Sequence, residues 1–173
     1  VVIVQPSADD RRWFAVYTRC HHEEKVIKFL NFHEFTTLLP KRKVYSRRRD
    51  RRKIIDQPVF PGYAFVELAP EPRTFTEVLK TPGVVYILGK PRPIPIPAHE
   101  IESLQIMVAA NCELSPCAYF RTGERVRVVS GPLTDAEGYI AEILPKKRML
   151  VVSVDILCRS VTTQLYDYEV ARL

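Results

Sequence analysis

Residues 41–53, KRKVYSRRRDRRK, are the densest chemistry in the chain: nine basic side chains and one acidic one, a net charge of +8. The whole protein carries +6, so the other 160 residues sum to −2. The protein is near neutral with one concentrated cationic element, not diffusely basic. Lys41, Lys43 and Lys53 are joined there by Arg42, Arg47, Arg48, Arg49, Arg51 and Arg52. The guanidinium fork suits phosphate better than an ammonium does. Several such contacts release counterions, which makes binding strongly salt-dependent, and they position a protein without reading sequence. The alternative is a solvated arm extended by its own repulsion. Tyr45 is the only interleaved aromatic, so base stacking is a minor expectation. Arg19 is expected to extend the same cationic surface.

A second group is aromatic. Phe60, Tyr63 and Phe65 lie within PVFPGYAFV (58–66), and Tyr17 sits in an earlier apolar run. Tyr and Phe are favoured anchors when a partner covers an apolar patch. The competing reading is sheet core. We expect Phe65 toward the core, and Phe60 and Tyr63 toward an interface.

The third group could hold metal or act as a nucleophile. Cys20-His21-His22 is the best cluster, and Cys112 and Cys117 are spaced C-x4-C. Zinc needs such ligands converging tetrahedrally. Neighbouring His residues at a helix start point in different directions, and the C-x4-C pair has no matching second pair. Free Cys is usually a small buried hydrophobe. No carboxylate pair, Ser/His/Asp set or phosphate-binding Gly loop stands out. No metal, cofactor or catalytic residue is expected; a metal or thiol enzyme is the least favoured reading. Gly131 and Gly138 are assigned to backbone geometry.

The elements that position these groups follow from periodicity. Trp13–Arg19 reads as a strand. Val26, Phe29, Leu30 and His33 step as a helix, with Glu23 and Glu24 at its positive end. The basic run occupies a hairpin or loop between extended segments 36–40 and 53–60. Tyr63–Leu68 is a strand, Phe75, Val78 and Leu79 mark a short helix after Pro72, and Val84–Leu88 is a strand. Ile101, Leu104 and Val108 form a final helical stripe. The order is that of a split βαβ antiparallel sheet with helices, hence an α+β fold. Residues 119–173 change to short strands spaced by turns, as in a small β-barrel. The expected organisation is a first domain over 11–110 with its arm at 41–53, a linker at 111–118, and the barrel over 119–173.

Several classes fall away. No apolar run approaches the ~20 residues of a membrane span. Val1–Val4 is too short for a secretory h-region. Four cysteines in a chain of 173 residues fit a reducing cytoplasm better than a disulfide scaffold.

Residues 13–19, the helix after them, PVFPGYAFV (58–66) and TPGVV (81–85) resemble the N-terminal domain of the NusG family of transcription elongation factors. Residues 123–150, with Gly131-Pro132-Leu133 and Gly138, resemble the KOW domain of that family, a small SH3-like barrel. The basic insertion looks more like that of specialised antitermination paralogs related to RfaH or UpxY.

The resemblance implies a bacterial, monomeric factor that docks on the clamp of the largest subunit of RNA polymerase, bridges the cleft and suppresses pausing or termination. It implies docking through Tyr17, Phe60, Pro61, Tyr63 and Phe65, and a second contact across the cleft through Arg73, Thr74 and Thr76. The arm would meet upstream or non-template DNA. In the family the barrel touches Rho or a small-subunit ribosomal protein, which points to Ile156, Leu157 and Arg159. A Cys158-Arg159 pair replaces the usual Gly-Arg there. RfaH-type relatives can hold this domain as a helical hairpin; its β-branched content and Gly turns predict a barrel here. The alternative function is a KOW-containing RNA-binding or ribosome-associated protein.

Overall fold

The computed structural model describes residues 10–45, 53–89, 91–110, 114–118, 123–144, 147–154, 157–165 and 170–173. They form antiparallel sheets and three helices, an α+β fold. Two compact units emerge: Val1–Leu39 with Gly62–Ile96, and Pro40–Pro61 with Pro97–Leu173.

The first unit has a four-stranded sheet, in the order β2 (Thr36–Leu38), β5 (Tyr63–Leu68), β1 (Arg12–Thr18), β6 (Val84–Ile87). Strands alternate the faces on which side chains stand. Phe14 and Val16 of β1 and Val66 and Leu68 of β5 therefore share one face. They pack with Val26 and Leu30 of α1 (Glu23–Phe32), Val78 of α2 (Pro72–Leu79) and Ile87. Fully burying each such side chain contributes about 1.5–3 kcal/mol. Phe75 of α2 meets Phe14 edge to face, with centroids 5.2 Å apart. Pro72 opens α2, where a missing N–H costs nothing. The opposite sheet face carries Trp13, Ala15, Tyr17, Tyr63 and Phe65.

In the second unit, β3 (Lys41–Tyr45) and β4 (Ile54–Pro58) make a two-stranded ribbon. The front of the basic run is thus itself a strand. A six-stranded sheet follows, in the order β12 (Val170–Arg172), β8 (Glu124–Val128), β9 (Glu137–Leu144), β10 (Lys147–Val154), β11 (Arg159–Leu165), β7 (Ser115–Ala118). Every pair in it is antiparallel. This sheet supplies the β-structure expected of the tail. A Cβ at Gly138 would run into the Val151 carbonyl oxygen, so the crossing of β9 and β10 demands glycine.

Three features differ from the sequence reading. Residues 40–61, which hold the start of the arm expected in the first domain, group with the second unit. Ser115–Ala118, expected in a linker, is β7 and pairs with β11. The helix α3 (Ala98–Ala109), expected in the first domain, packs on β9 and β10. Ser103 fixes it there. Its Oγ donates to the His99 carbonyl at 2.7 Å and accepts the Glu137 N–H at 2.9 Å. The buried face is Ile101, Leu104 and Met107, while Val108 is partly exposed. Position 107 continues the i, i+3, i+6 row, which a stripe ending at Val108 misses.

Candidate functional site

Tyr17 lies on β1, an interior strand of its sheet, directly opposite Tyr63 of β5 and Tyr86 of β6. Residues directly opposite in antiparallel strands share a face. The rings form one cluster: Tyr17 and Tyr63 are 5.3 Å apart edge to face, and Tyr17 and Tyr86 are 5.0 Å apart and stacked. All three are half-buried. A tyrosine in that position keeps an apolar body for contact and a hydroxyl for water or a partner.

The turn before Tyr63 seats this cluster. Gly62 has φ +84°, the left-handed region that glycine tolerates best. A Cβ on it would also crowd Tyr17 Cε2 at 3.2 Å. Its carbonyl accepts the Thr18 N–H at 2.9 Å, and its N–H donates to Glu23 Oε1 at 2.8 Å. Glu23 is buried, so the start of α1 clamps the turn from one side while β1 holds it from the other. Arg19 follows directly, exposed, with its N–H donated to the Gly83 carbonyl at 2.8 Å.

The other expected docking residues divide. Phe65 is fully buried, as expected of a core residue. Phe60, expected at an interface, is also buried, at 1% exposure. With no polar atom it gains nothing from water, unlike Tyr63 with its hydroxyl. Pro61 is exposed. On α2, Arg73 is exposed and pairs with Glu77 at 3.3 Å, one turn on. Thr76 turns its hydroxyl back to the Pro72 carbonyl at 2.7 Å, and Thr74 is half-buried. Tyr86 is an addition that sequence reasoning misses. Its strand is legible as apolar, but its place beside Tyr17 depends on β1 lying between β5 and β6.

On the ribbon, Arg42 faces Gln57 and bonds its Oε1 at 3.3 Å, Lys43 faces Asp56, and Tyr45 faces Ile54. The Val59 N–H to Pro40 carbonyl bond, 2.8 Å, closes the base of the ribbon. Lys43 and Lys53 are exposed, and Lys41 and Arg42 half-buried. Arg47, Arg48, Arg49, Arg51 and Arg52 lie outside the described residues, as does Ile156.

Just before β11, Leu157 is buried, and Arg159 at its start is exposed. Cys158 between them has φ +47°, the conformation a glycine would adopt without strain. Glu137 gathers Arg125 at 3.1 Å and Arg127. The Arg127 hydrogen bond, aided by the charges of both arginines and opposed by partial burial, holds the Glu137 carboxyl below its ordinary range.

At the Cys/His cluster, His22 Nδ1–H donates to the Cys20 carbonyl at 2.9 Å, and Cys20 and His21 are exposed. Among the described residues no three His, Cys, Asp or Glu side chains gather as a metal site. No helix among them is long and apolar enough to cross a membrane.

Residues 11–105 match the family model described as transcription termination factor nusG. The chain is 32% identical to the transcription termination/antitermination protein NusG of Thermus thermophilus, over 88% of this chain and 94% of that protein. It is 28% identical to the protein of the same name from Pseudomonas aeruginosa, over 94% and 99%. Among solved structures, NusG of Thermotoga maritima superimposes with a TM-score of 0.54 at 25% identity, covering 96% of this chain and 99% of that one.

Proposed function

This chain belongs to the NusG family of transcription termination/antitermination factors, and from that premise we propose that it docks on the clamp of the largest subunit of RNA polymerase through the face bearing Tyr17, Tyr63 and Tyr86. Docked there, it bridges the cleft and suppresses pausing or termination, with its basic arm on upstream or non-template DNA. It acts by binding and carries out no bond chemistry of its own. The observation that carries this reading is the three-tyrosine cluster. It is a half-buried aromatic patch, preset by a glycine turn that Glu23 and Thr18 hold in place. Such a patch offers a partner apolar area at small cost in side-chain ordering.

The other parts take supporting roles. Pro61, which adjoins Gly62 in sequence, adds an exposed ring to the docking contact. The N-terminal half of α2, with Arg73, Thr74 and Thr76, reaches the opposite side of the cleft. Arg73 is the exposed charge there, and the Thr76 hydroxyl is engaged by its own helix. Of the expected partner-binding residues, Arg159 is exposed and Leu157 buried, so Arg159 is the one assigned to contact Rho or a small-subunit ribosomal protein. The basic insertion supports a specialised paralog of the antitermination type.

The test is elongation in vitro. The purified chain should shorten the dwell of RNA polymerase at a strong pause, and the Tyr63→Ala variant should have no effect at the same concentration. Equal shortening by both would leave the tyrosine face with no part in docking.

A further inference from the structure

Tyr45 and Ile54 stand directly opposite each other on the ribbon, 71% and 56% exposed. The two strands form a sheet of their own, and folding gains little from leaving an aromatic and an isoleucine in water at this pair. By alternation Lys41 and Lys43 share their face, and Lys53 adjoins Ile54 in sequence. Asp56 stands across from Lys43 on that same face and offsets part of its charge. An apolar pair with Tyr45 inside a segment of net charge +8 and Ile54 directly after it does not suit an ordinary apolar protein partner. It suits a polyanion that also carries flat apolar faces.

We propose that Tyr45, backed by Ile54, is a stacking platform for an unpaired base of single-stranded DNA, with Lys41 and Lys43 on the neighbouring phosphates. This rests on the reading that the arm contacts DNA, and it assigns the form of DNA. Bases in a duplex are already stacked, and a side chain can enter only by unstacking them. An unpaired strand presents its π-faces freely, and stacking on them tolerates any sequence. Tyr45 then contributes binding energy that is insensitive to salt, beside a phosphate contribution that is not.

The experiment uses the full chain and three labelled probes, a dT20 strand, an abasic strand of equal length and charge, and an rU20 strand, read by fluorescence anisotropy. The native protein should bind dT20 about five-fold or more tightly than the abasic strand, the size expected for one stacked base. Tyr45→Ser should abolish that preference, leaving dT20 at the affinity of the abasic strand, and Tyr45→Phe should restore it. Tyr45 and Ile54 are both exposed, so unchanged circular dichroism is expected. Lys41→Gln with Lys43→Gln should weaken all probes alike and keep the preference. Equal binding of dT20 and the abasic strand by the native protein overturns the platform while leaving the phosphate-binding arm standing. Binding of none of the probes overturns both. Tighter binding of rU20 than dT20 overturns the assignment to DNA.

Discussion

Glu23 and Gly62, 39 positions apart, are joined by a hydrogen bond of 2.8 Å from the glycine N–H to the buried carboxylate. Acidic residues at a helix start are commonly read as partners of the helix dipole. Here the carboxylate has a more specific role. It fixes the turn on which Tyr63 is mounted and against which Tyr17 rests.

Glu23→Ala should therefore destabilise the first unit by about 1.5–3 kcal/mol, the range for losing a hydrogen bond to a charged group. Glu23→Gln keeps an acceptor and should cost less. Trp13 is the chain's single tryptophan and belongs to this unit, so its fluorescence during urea unfolding is the measurement. Equal stability of Glu23→Ala and the native chain would show that the turn needs no clamp.

A second expectation concerns acid. The folded state holds Glu137 below its ordinary value near 4.5, chiefly through the Arg127 hydrogen bond. The ionised form is thus favoured by folding. The contribution is fully present above the ordinary carboxylate range and is lost as pH falls through the lowered value. Amide hydrogen exchange in β8 and β9 should accelerate as pH is lowered from about 5 toward 3, after correction for intrinsic rates. Glu137→Gln should flatten that dependence, and an unchanged profile would contradict it.

At Cys158 the backbone is left-handed, φ +47°, and a side chain there costs about 1–2 kcal/mol that glycine avoids. Cys158→Gly should raise the midpoint of thermal unfolding of the second unit by a few degrees, since about 1 kcal/mol shifts a small domain by 4–8 °C. Cys158→Ala keeps the Cβ and should give no gain. A lower midpoint for the glycine variant would refute the strain.

The arm can be tested by salt. Replacing Arg47, Arg48, Arg49, Arg51 and Arg52 with Gln should make the dependence of DNA affinity on salt shallower, by about 0.7–0.9 in log–log slope for each phosphate neutralisation removed. A slope equal to that of the native chain would leave the arginines without a phosphate role.

Much of this is legible in the sequence, for identifiable reasons. β1, α1, β5, α2 and β6 each carry a clean local period, and the charge count isolates the arm without any structure. What escapes depends on non-local pairing. Tyr86 joins the cluster because β1 lies between β5 and β6, an order no local pattern encodes. Phe60 points outward if judged by its neighbourhood in the FPGY turn, yet it is buried. Chain order groups α3 with the elements before it, but its Ser103 bond to Glu137 ties it to the second sheet. Ser115–Ala118 contains Pro116 and reads as a linker, although an edge strand tolerates proline and β7 is such an edge.

Whether the tyrosine face holds RNA polymerase is decided by binding of the purified full chain to purified RNA polymerase core enzyme, native against Tyr17→Ala with Tyr63→Ala. The native chain should bind tightly, and the double variant should bind at least about ten-fold more weakly, the loss of about 1.4 kcal/mol or more expected when two anchors are truncated. The variant's circular dichroism should be native-like, because both residues are only half-buried. Native-strength binding by a folded double variant would contradict docking through this face.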